Sequence, residues 1–364
     1  MSQPSIGEKE IAYVTDAVSS GWVSSIGKYI EEFERTFALF CGTRFAIATC
    51  NGTTALHLAL VCVGVKEGDE IIVPDLTFIA TANAARYAGA SVVTVDIEAG
   101  SLCMDPAAVR RSITPKTKAI IPVHLYGHPA NMEAIMAIAR EHAIAVVEDA
   151  AEAHGAEFRG KKVGSIGDIG VFSFYGNKVV TAGEGGMLTT DSRELYDKAR
   201  FLRDHAMSPE RRYWHPEIGF NYRMTNLQAA LAVAQMERIE TFIAKRDEIM
   251  QWYRDELKSV PSLRLNREEH GSKRVYWMVC LEIAGLNDAR RSELMKALRE
   301  LGVDSRPYFY PISDMPMYST ASTPVAHRVS VEGINLPSYV DLTRNDVAEI
   351  CGLLLKVLRT MRLI

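Results

Sequence analysis

Lys178 stands in VFSFYGNKVVTAGEGG (171–186), between an apolar run and a glycine-rich one. Lysine is almost never fully buried without a purpose. An amine held in a low-dielectric site loses basicity and becomes a usable nucleophile for Schiff-base chemistry. On spacing alone the commoner outcome is a lysine at a strand end with its ammonium in water. Ser173, five residues earlier, puts a hydroxyl within reach of the same pocket. A second group is VVEDAAEAHG (146–155), where Glu148, Asp149, Glu152 and His154 follow an apolar strand. Three carboxylates and an imidazole there suit a metal site, an acid/base pair or a carboxylate that holds a cationic ring. A satisfied helix cap with solvated charges is the plainer reading.

Two further segments offer anion chemistry. In CNGTTALHLAL (50–60) the polar turn Asn51-Gly52-Thr53-Thr54 opens into an apolar helix. Free N–H groups at a helix start attract anions, glycine lets a phosphate come close, and threonine adds hydroxyl donors. An ordinary N-cap fits the same residues. In GFNYRMTNLQAA (219–230), Asn221 and Arg223 precede a long helical pattern, and arginine suits anionic groups. HLYGH (124–128) places two histidines four apart, but Gly127 between them and Pro129 behind them argue against a helical metal pair. They read as loop or core residues, and no metal site is expected. Neither GxxxxGK[ST] nor GxGxxG occurs, which speaks against a nucleoside-triphosphate loop or a simple dinucleotide fold.

The elements that must carry these residues alternate. Strand candidates EIIVP (70–74), SVVTVDI (91–97), KAIIPVHLYG (118–127), IAVVEDAA (144–151), a strand ending near Gly176 and GGMLTT (185–190) alternate with helical patterns such as KYIEEFERTFALF and NMEAIMAIAREHA. Runs apolar on both faces predict an α/β domain with a mostly parallel sheet, whose ligands lie beyond the carboxyl ends of the strands. Residues 1–27 read as an N-terminal arm, 28–240 as the large domain and 241–364 as a smaller α+β domain. The stretch 225–260 predicts one long helix leading out of the large domain.

Composition narrows the class. The chain has 364 residues, 41 Lys and Arg against 45 Asp and Glu, a net charge of −4, and 48% apolar residues. That balance excludes a disordered chain and gives no basic tract for nucleic acid. No apolar run is long enough to span a bilayer, so no membrane partner is expected. Six scattered cysteines without a CxxC pair predict reduced thiols and a cytoplasmic setting.

Taken in order, SGWVSSIGKYIEEFE, GTTALHLAL, PDLTFIATAN, HLYG, EDAAEAHGA, FSFYGNKVVTAGEGG, FNYRMTNLQAA, RPYFYP and LPSYVDLT resemble the DegT/DnrJ/EryC1/StrS family of pyridoxal-phosphate sugar aminotransferases over nearly the whole chain. The resemblance implies a fold-type I aminotransferase with a mostly parallel seven-stranded sheet between helices and a smaller C-terminal domain. It implies a homodimer with shared active sites and pyridoxal 5′-phosphate, alternating with pyridoxamine phosphate, as cofactor. Carried over to this chain, Lys178 bonds the cofactor aldehyde and moves protons, and Asp149 pairs with the pyridine nitrogen. Gly52, Thr53 and Ser173 hold the phosphate, and Asn221 reaches it from the other subunit. Phe78 covers one ring face, and Glu152, where many members have Gln, lies near the ring hydroxyl. For substrate the resemblance points to Trp22, Ser24, Lys28, Arg223, Arg306, Tyr308 and Tyr310. SFYGNK followed by TAGEGG is most similar to the branch that moves an amino group from L-glutamate to C4 of GDP-4-keto-6-deoxy-D-mannose, leaving 2-oxoglutarate. Another keto sugar nucleotide (UDP or dTDP), a small phosphorylated ketone, and a non-catalytic pyridoxal-phosphate-binding regulator are the alternatives.

Overall fold

The computed structural model describes residues 3–267 and 271–364. Seven strands form the main sheet: β1 (Phe45–Thr49), β2 (Glu70–Pro74), β3 (Ser91–Val95), β4 (Thr117–Ile120), β5 (Ala145–Asp149), β6 (Ile169–Ser173) and β7 (Gly186–Thr190). Their order is β1-β7-β6-β5-β4-β2-β3. Only β7 runs against its neighbours; the other pairings are parallel. This matches the mostly parallel sheet that two-sided apolar runs predict.

Alternation along each strand divides the apolar residues between two cores. Ile72, Val146 and Phe172 face one, with α2 (Lys28–Cys41), α5 (Pro106–Ser112), α6 (Met132–His142) and α8 (Asn226–Met236). Ile71, Val73, Val147 and Val171 face the other, with α3 (Gly52–Cys62), α4 (Ala80–Tyr87) and α7 (Arg193–Arg203). Phe33, Phe37, Phe172 and Phe174 are fully buried in the first, and such a ring contributes about 1.5–3 kcal/mol by leaving water. The arm carries α1 (Glu8–Ser19), which lies on α8 and buries Ala17 and Glu10.

The third core is C-terminal. Strands β8 (Leu263–Leu265), β9 (Val279–Ile283), β10 (Arg306–Pro307) and β11 (Gly333–Leu336) form an antiparallel sheet in the order β8-β9-β11-β10. It packs with α9 (Ile239–Leu257), α10 (Asp288–Glu300) and α12 (Arg344–Thr360), while α11 (Pro324–Glu332) leads into β11.

Two expectations need correction. The helix expected over 225–260 is two helices, α8 and α9, broken at Glu237–Arg238. Glu237 there accepts from Tyr13 (2.6 Å) and Arg238 donates to Glu10 (2.8 Å), so the break serves the arm. The strand expected over 118–127 stops at Ile120, and Leu125–Gly127 is a short 3₁₀ turn. Gly127 has φ +82°, and a Cβ there would lie 1.8 Å from the Val275 carbonyl oxygen, so the C-terminal unit approaches too closely for any side chain.

Candidate active site

Strand β5 ends at the site, and its alternation separates the two neighbouring carboxylates. Glu148 faces away from the cavity: it accepts from His124 Nε2 (3.0 Å) and from the amides of Gly164 (2.9 Å), Ile166 (2.7 Å) and Gly167 (2.6 Å). The Ala130 amide donates to His124 Nδ1 (3.0 Å), so the ring hydrogen sits on Nε2. Burial opposes ionisation of Glu148, but these donors hold its carboxyl below the usual range. It is a structural anion. Asp149 faces the cavity, where Thr81 Oγ1 donates to Oδ2 (2.8 Å) and the Ala151 amide to Oδ1 (3.2 Å). Burial raises its pKa, against the pull of those donors and of Lys178.

Lys178 lies in the loop between β6 and β7, with its side chain 12% exposed. Burial pushes its pKa down, partly offset by Glu152 and Asp149. Nζ stands 3.8 Å from Glu152 Oε1 and 4.0 Å from the centre of the Trp277 ring. Glu152 Oε2 accepts from the Tyr126 amide (2.8 Å), and burial pushes this carboxyl up to about 7. The amine thus has carboxyl groups as polar neighbours and an apolar cover, the setting in which a lysine becomes reactive. His154 is not part of it. It packs among Phe37, Phe172 and Phe174, and burial lowers its pKa to about 3.

These groups line one cavity of about 610 Å³. The start of α3 lines the same cavity as Lys178, and there Asn51 Oδ1 caps the Thr54 amide (2.9 Å). The first-turn amides of Gly52 and Thr53 thereby remain for a ligand. A Cβ on Gly52 would lie 2.8 Å from Ser173 Cβ, so glycine keeps this corner open beside the serine. Asn177 Oδ1, buried at the cavity wall, has no hydrogen-bond partner among the described residues. A neutral anion cradle, a carboxylate and a shielded amine suit a phosphorylated heterocyclic aldehyde. Among the described residues no cluster of His, Cys, Asp or Glu could hold a metal.

Of the residues expected at the site, Gly52, Thr53, Phe78, Asp149, Glu152, Ser173, Lys178 and Arg306 line this cavity. Asn221 does not: it is exposed and accepts from Arg223 Nη2 (2.7 Å), while Arg223 also bonds Asp204. Trp22 and Lys28 line a separate, open depression of about 400 Å³, next to exposed Ser24. Tyr308 is a correction. It is 1% exposed, because its ring packs against Tyr126 and fills the space that Gly333 leaves without a side chain, while Phe309 faces the cavity. Tyr310 is exposed beneath the Arg291 guanidinium and lies outside the cavity.

Sequence reasoning did not single out Thr81, Tyr126, Trp277 or Asn335, all of which line the cavity. A hydroxyl directly after the Phe-Ile-Ala of the 75–84 segment was the only signal for Thr81. Trp277 lay inside what reads as a plain strand.

A cavity of this kind belongs to an enzyme that works through an amine of its own chain, and the frame around it is that of the pyridoxal-phosphate aminotransferases. The chain belongs to the DegT/DnrJ/EryC1/StrS aminotransferase family, whose profile matches residues 4–355. It is 45% identical over 363 residues to the GDP-perosamine synthase of Caulobacter vibrioides, covering 98% of both chains. It is 43% identical to the GDP-perosamine synthase of Escherichia coli O157:H7, covering 96% of this chain and 95% of that one. Among solved structures, the pyridoxal-phosphate form of the putative sugar aminotransferase Spr1654 from Streptococcus pneumoniae superposes with a TM-score of 0.94 at 26% identity, covering 100% of this chain and 98% of that one. The chain is thus a pyridoxal-phosphate-dependent transaminase.

Proposed function

We propose that the enzyme moves an amino group from L-glutamate to C4 of GDP-4-keto-6-deoxy-D-mannose, giving GDP-perosamine and 2-oxoglutarate. The reading rests above all on Lys178, a shielded amine facing the same cavity as Asp149 and the start of α3. The identity to two GDP-perosamine synthases over nearly their whole length supports the choice of sugar nucleotide.

Pyridoxal phosphate, when bound, supplies an aldehyde that accepts the amino group and a ring that takes up the electron pair at the reacting carbon. The chain does the rest. The Gly52 and Thr53 amides with the Ser173 hydroxyl bind the phosphate. Asp149, held in one rotamer by Thr81 and Ala151, keeps a proton on the ring nitrogen. Phe78 and Glu152 line the same cavity, where Phe78 would cover the ring and Glu152 would hold its hydroxyl. Lys178 Nζ would anchor the cofactor and would take up and return the proton at the reacting carbon. Burial fits it for this, because desolvation makes the amine less basic and its proton easier to give up.

The working unit in this reading is a homodimer. Asn221 and Arg223, tied to each other at an exposed position, serve the partner's cavity, and Trp22, Ser24 and Lys28 of the arm meet the sugar nucleotide with Arg306. All six cysteines carry free thiols, which suits a reducing, cytoplasmic setting, and no helix of the described residues is long and apolar enough to cross a membrane.

The test is a panel of GDP-, UDP- and dTDP-linked 4-keto-6-deoxy sugars with L-glutamate, following 2-oxoglutarate. The GDP substrate should lead in kcat/KM by at least about tenfold, worth 1.4 kcal/mol of transition-state binding. Preference for another nucleotide, or for a small phosphorylated ketone, defeats the reading. Lys178→Ala should be folded and inactive. Mixed with inactive Asn221→Ala it should regain part of the activity, since one site per hybrid dimer would be intact; no recovery argues against shared sites.

A further inference from the structure

Trp277 comes from the C-terminal unit, just before β9, yet its indole closes over an amine of the large domain. It is 4% exposed, with its ring centre 4.0 Å from Lys178 Nζ. Its Nε1–H donates to the carbonyl of Asn177 at 2.8 Å, the residue directly before that lysine. The tryptophan is itself anchored. Its carbonyl accepts from Arg246 Nη1 (2.8 Å), on the buried side of α9, and from Ser338 Oγ (3.1 Å), and its amide donates to the Val275 carbonyl (2.9 Å). A cation over an indole face is attracted to the ring quadrupole, more strongly where water is excluded.

We propose that Trp277 is a positioning residue for the reactive amine: its face holds Lys178 Nζ as an ammonium at one point of the cavity, and its N–H fixes the peptide from which that side chain springs. The inference rests on Lys178 being the reactive amine, and not on the identity of the sugar. It also makes the reactive lysine dependent on both units, since the anchor of the indole lies on α9 and at Ser338. The charged and titratable groups that share the space are Glu152 and Asp149, both of which favour the ammonium, His154 behind the wall, and Glu184 and Arg306 at the lining.

The experiment reads the amine directly. The full-length protein, freed of cofactor, is labelled with trace acetic anhydride across a pH series, and acetylation of the peptide carrying Lys178 is followed by mass spectrometry. Trp277→Leu keeps an apolar cover and removes the ring face. The midpoint for Lys178 should fall by about half a unit to one and a half units. Trp277→Phe, which keeps a weaker face, should fall by less than half of that, and it carries the test alone if the leucine variant does not fold. An unmoved midpoint in folded protein reduces Trp277 to packing. Equal falls in the two variants leave the ring face no part in holding the ammonium, and a rise assigns the effect to water exclusion; each overturns the proposal. Because no sugar nucleotide is present, an error in the substrate leaves these outcomes untouched.

Discussion

Thr81, in the first turn of α4, donates its hydroxyl to Oδ2 of Asp149 at the end of β5, at 2.8 Å and 68 positions apart in the chain. Thr77 Oγ1 stands 3.1 Å from the same hydroxyl, so the carboxylate is oriented from α4 as well as by the Ala151 amide. Asp149 needs that help: burial raises its pKa, and each donor to the ionised form lowers it.

Thr81→Val keeps the shape and removes the donor. The Asp149 carboxyl then rises further, so the ionised form is lost at a higher pH. A hydrogen bond to a charged group contributes about 1.5–3 kcal/mol, so the acid limb of kcat/KM should move up by about one to two pH units. A pH–rate profile checks this, and an unmoved limb would separate Thr81 from catalysis.

Glu152 gives a signed stability prediction. Its folded carboxyl is pushed up to about 7 by burial, well above its unfolded value. Its contribution to folding is therefore fully present below the unfolded pKa of about 4.3 and is lost as pH rises through about 7. Cofactor-free wild type should lose roughly 2–4 kcal/mol relative to Glu152→Gln between pH 4.5 and 7.5, read by urea unfolding at both values. Parallel curves for the two proteins would mean that Glu152 does not titrate in this window.

Gly52→Ala places a methyl group 2.8 Å from Ser173 Cβ, at the corner where the phosphate is proposed to sit. Overpacking of this kind costs about 1–3 kcal/mol. Cofactor affinity should fall about 5- to 150-fold, measured by titrating the cofactor's visible absorbance, with secondary structure unchanged by circular dichroism.

Asp75 lies outside the chemistry but joins the two units. Fully buried, it accepts from the Ser313 amide (2.7 Å), from Ser313 Oγ (2.7 Å) and from Thr323 Oγ1, while its carbonyl accepts from the Ile312 amide (2.8 Å). Asp75→Ala leaves these side-chain and amide donors without an acceptor. It should destabilise the protein by about 2–5 kcal/mol in urea unfolding, against a small effect for an exposed pair such as Arg193–Asp197.

The parallel sheet and the start of α3 were legible in the chain alone, and Lys178 and Asp149 stood there as candidates that the fold brings to one cavity. Two-sided apolar runs leave few arrangements other than a sheet covered on both faces, and Asn51-Gly52-Thr53 announces a helix start by its cap chemistry. Lys178 and Asp149 stood out because charged groups among apolar residues need a reason to be there. What local pattern cannot supply is the partner across a long loop. The indole over Lys178 is anchored by a bond that spans 100 positions, the hydroxyl on Asp149 by one that spans 68, and the inward turn of Tyr308 follows from the register of β10 on β11. Periodicity records which side of an element is buried. Which other element buries it depends on how chain closure and packing are satisfied together across the molecule, and those terms appear only once the chain is folded.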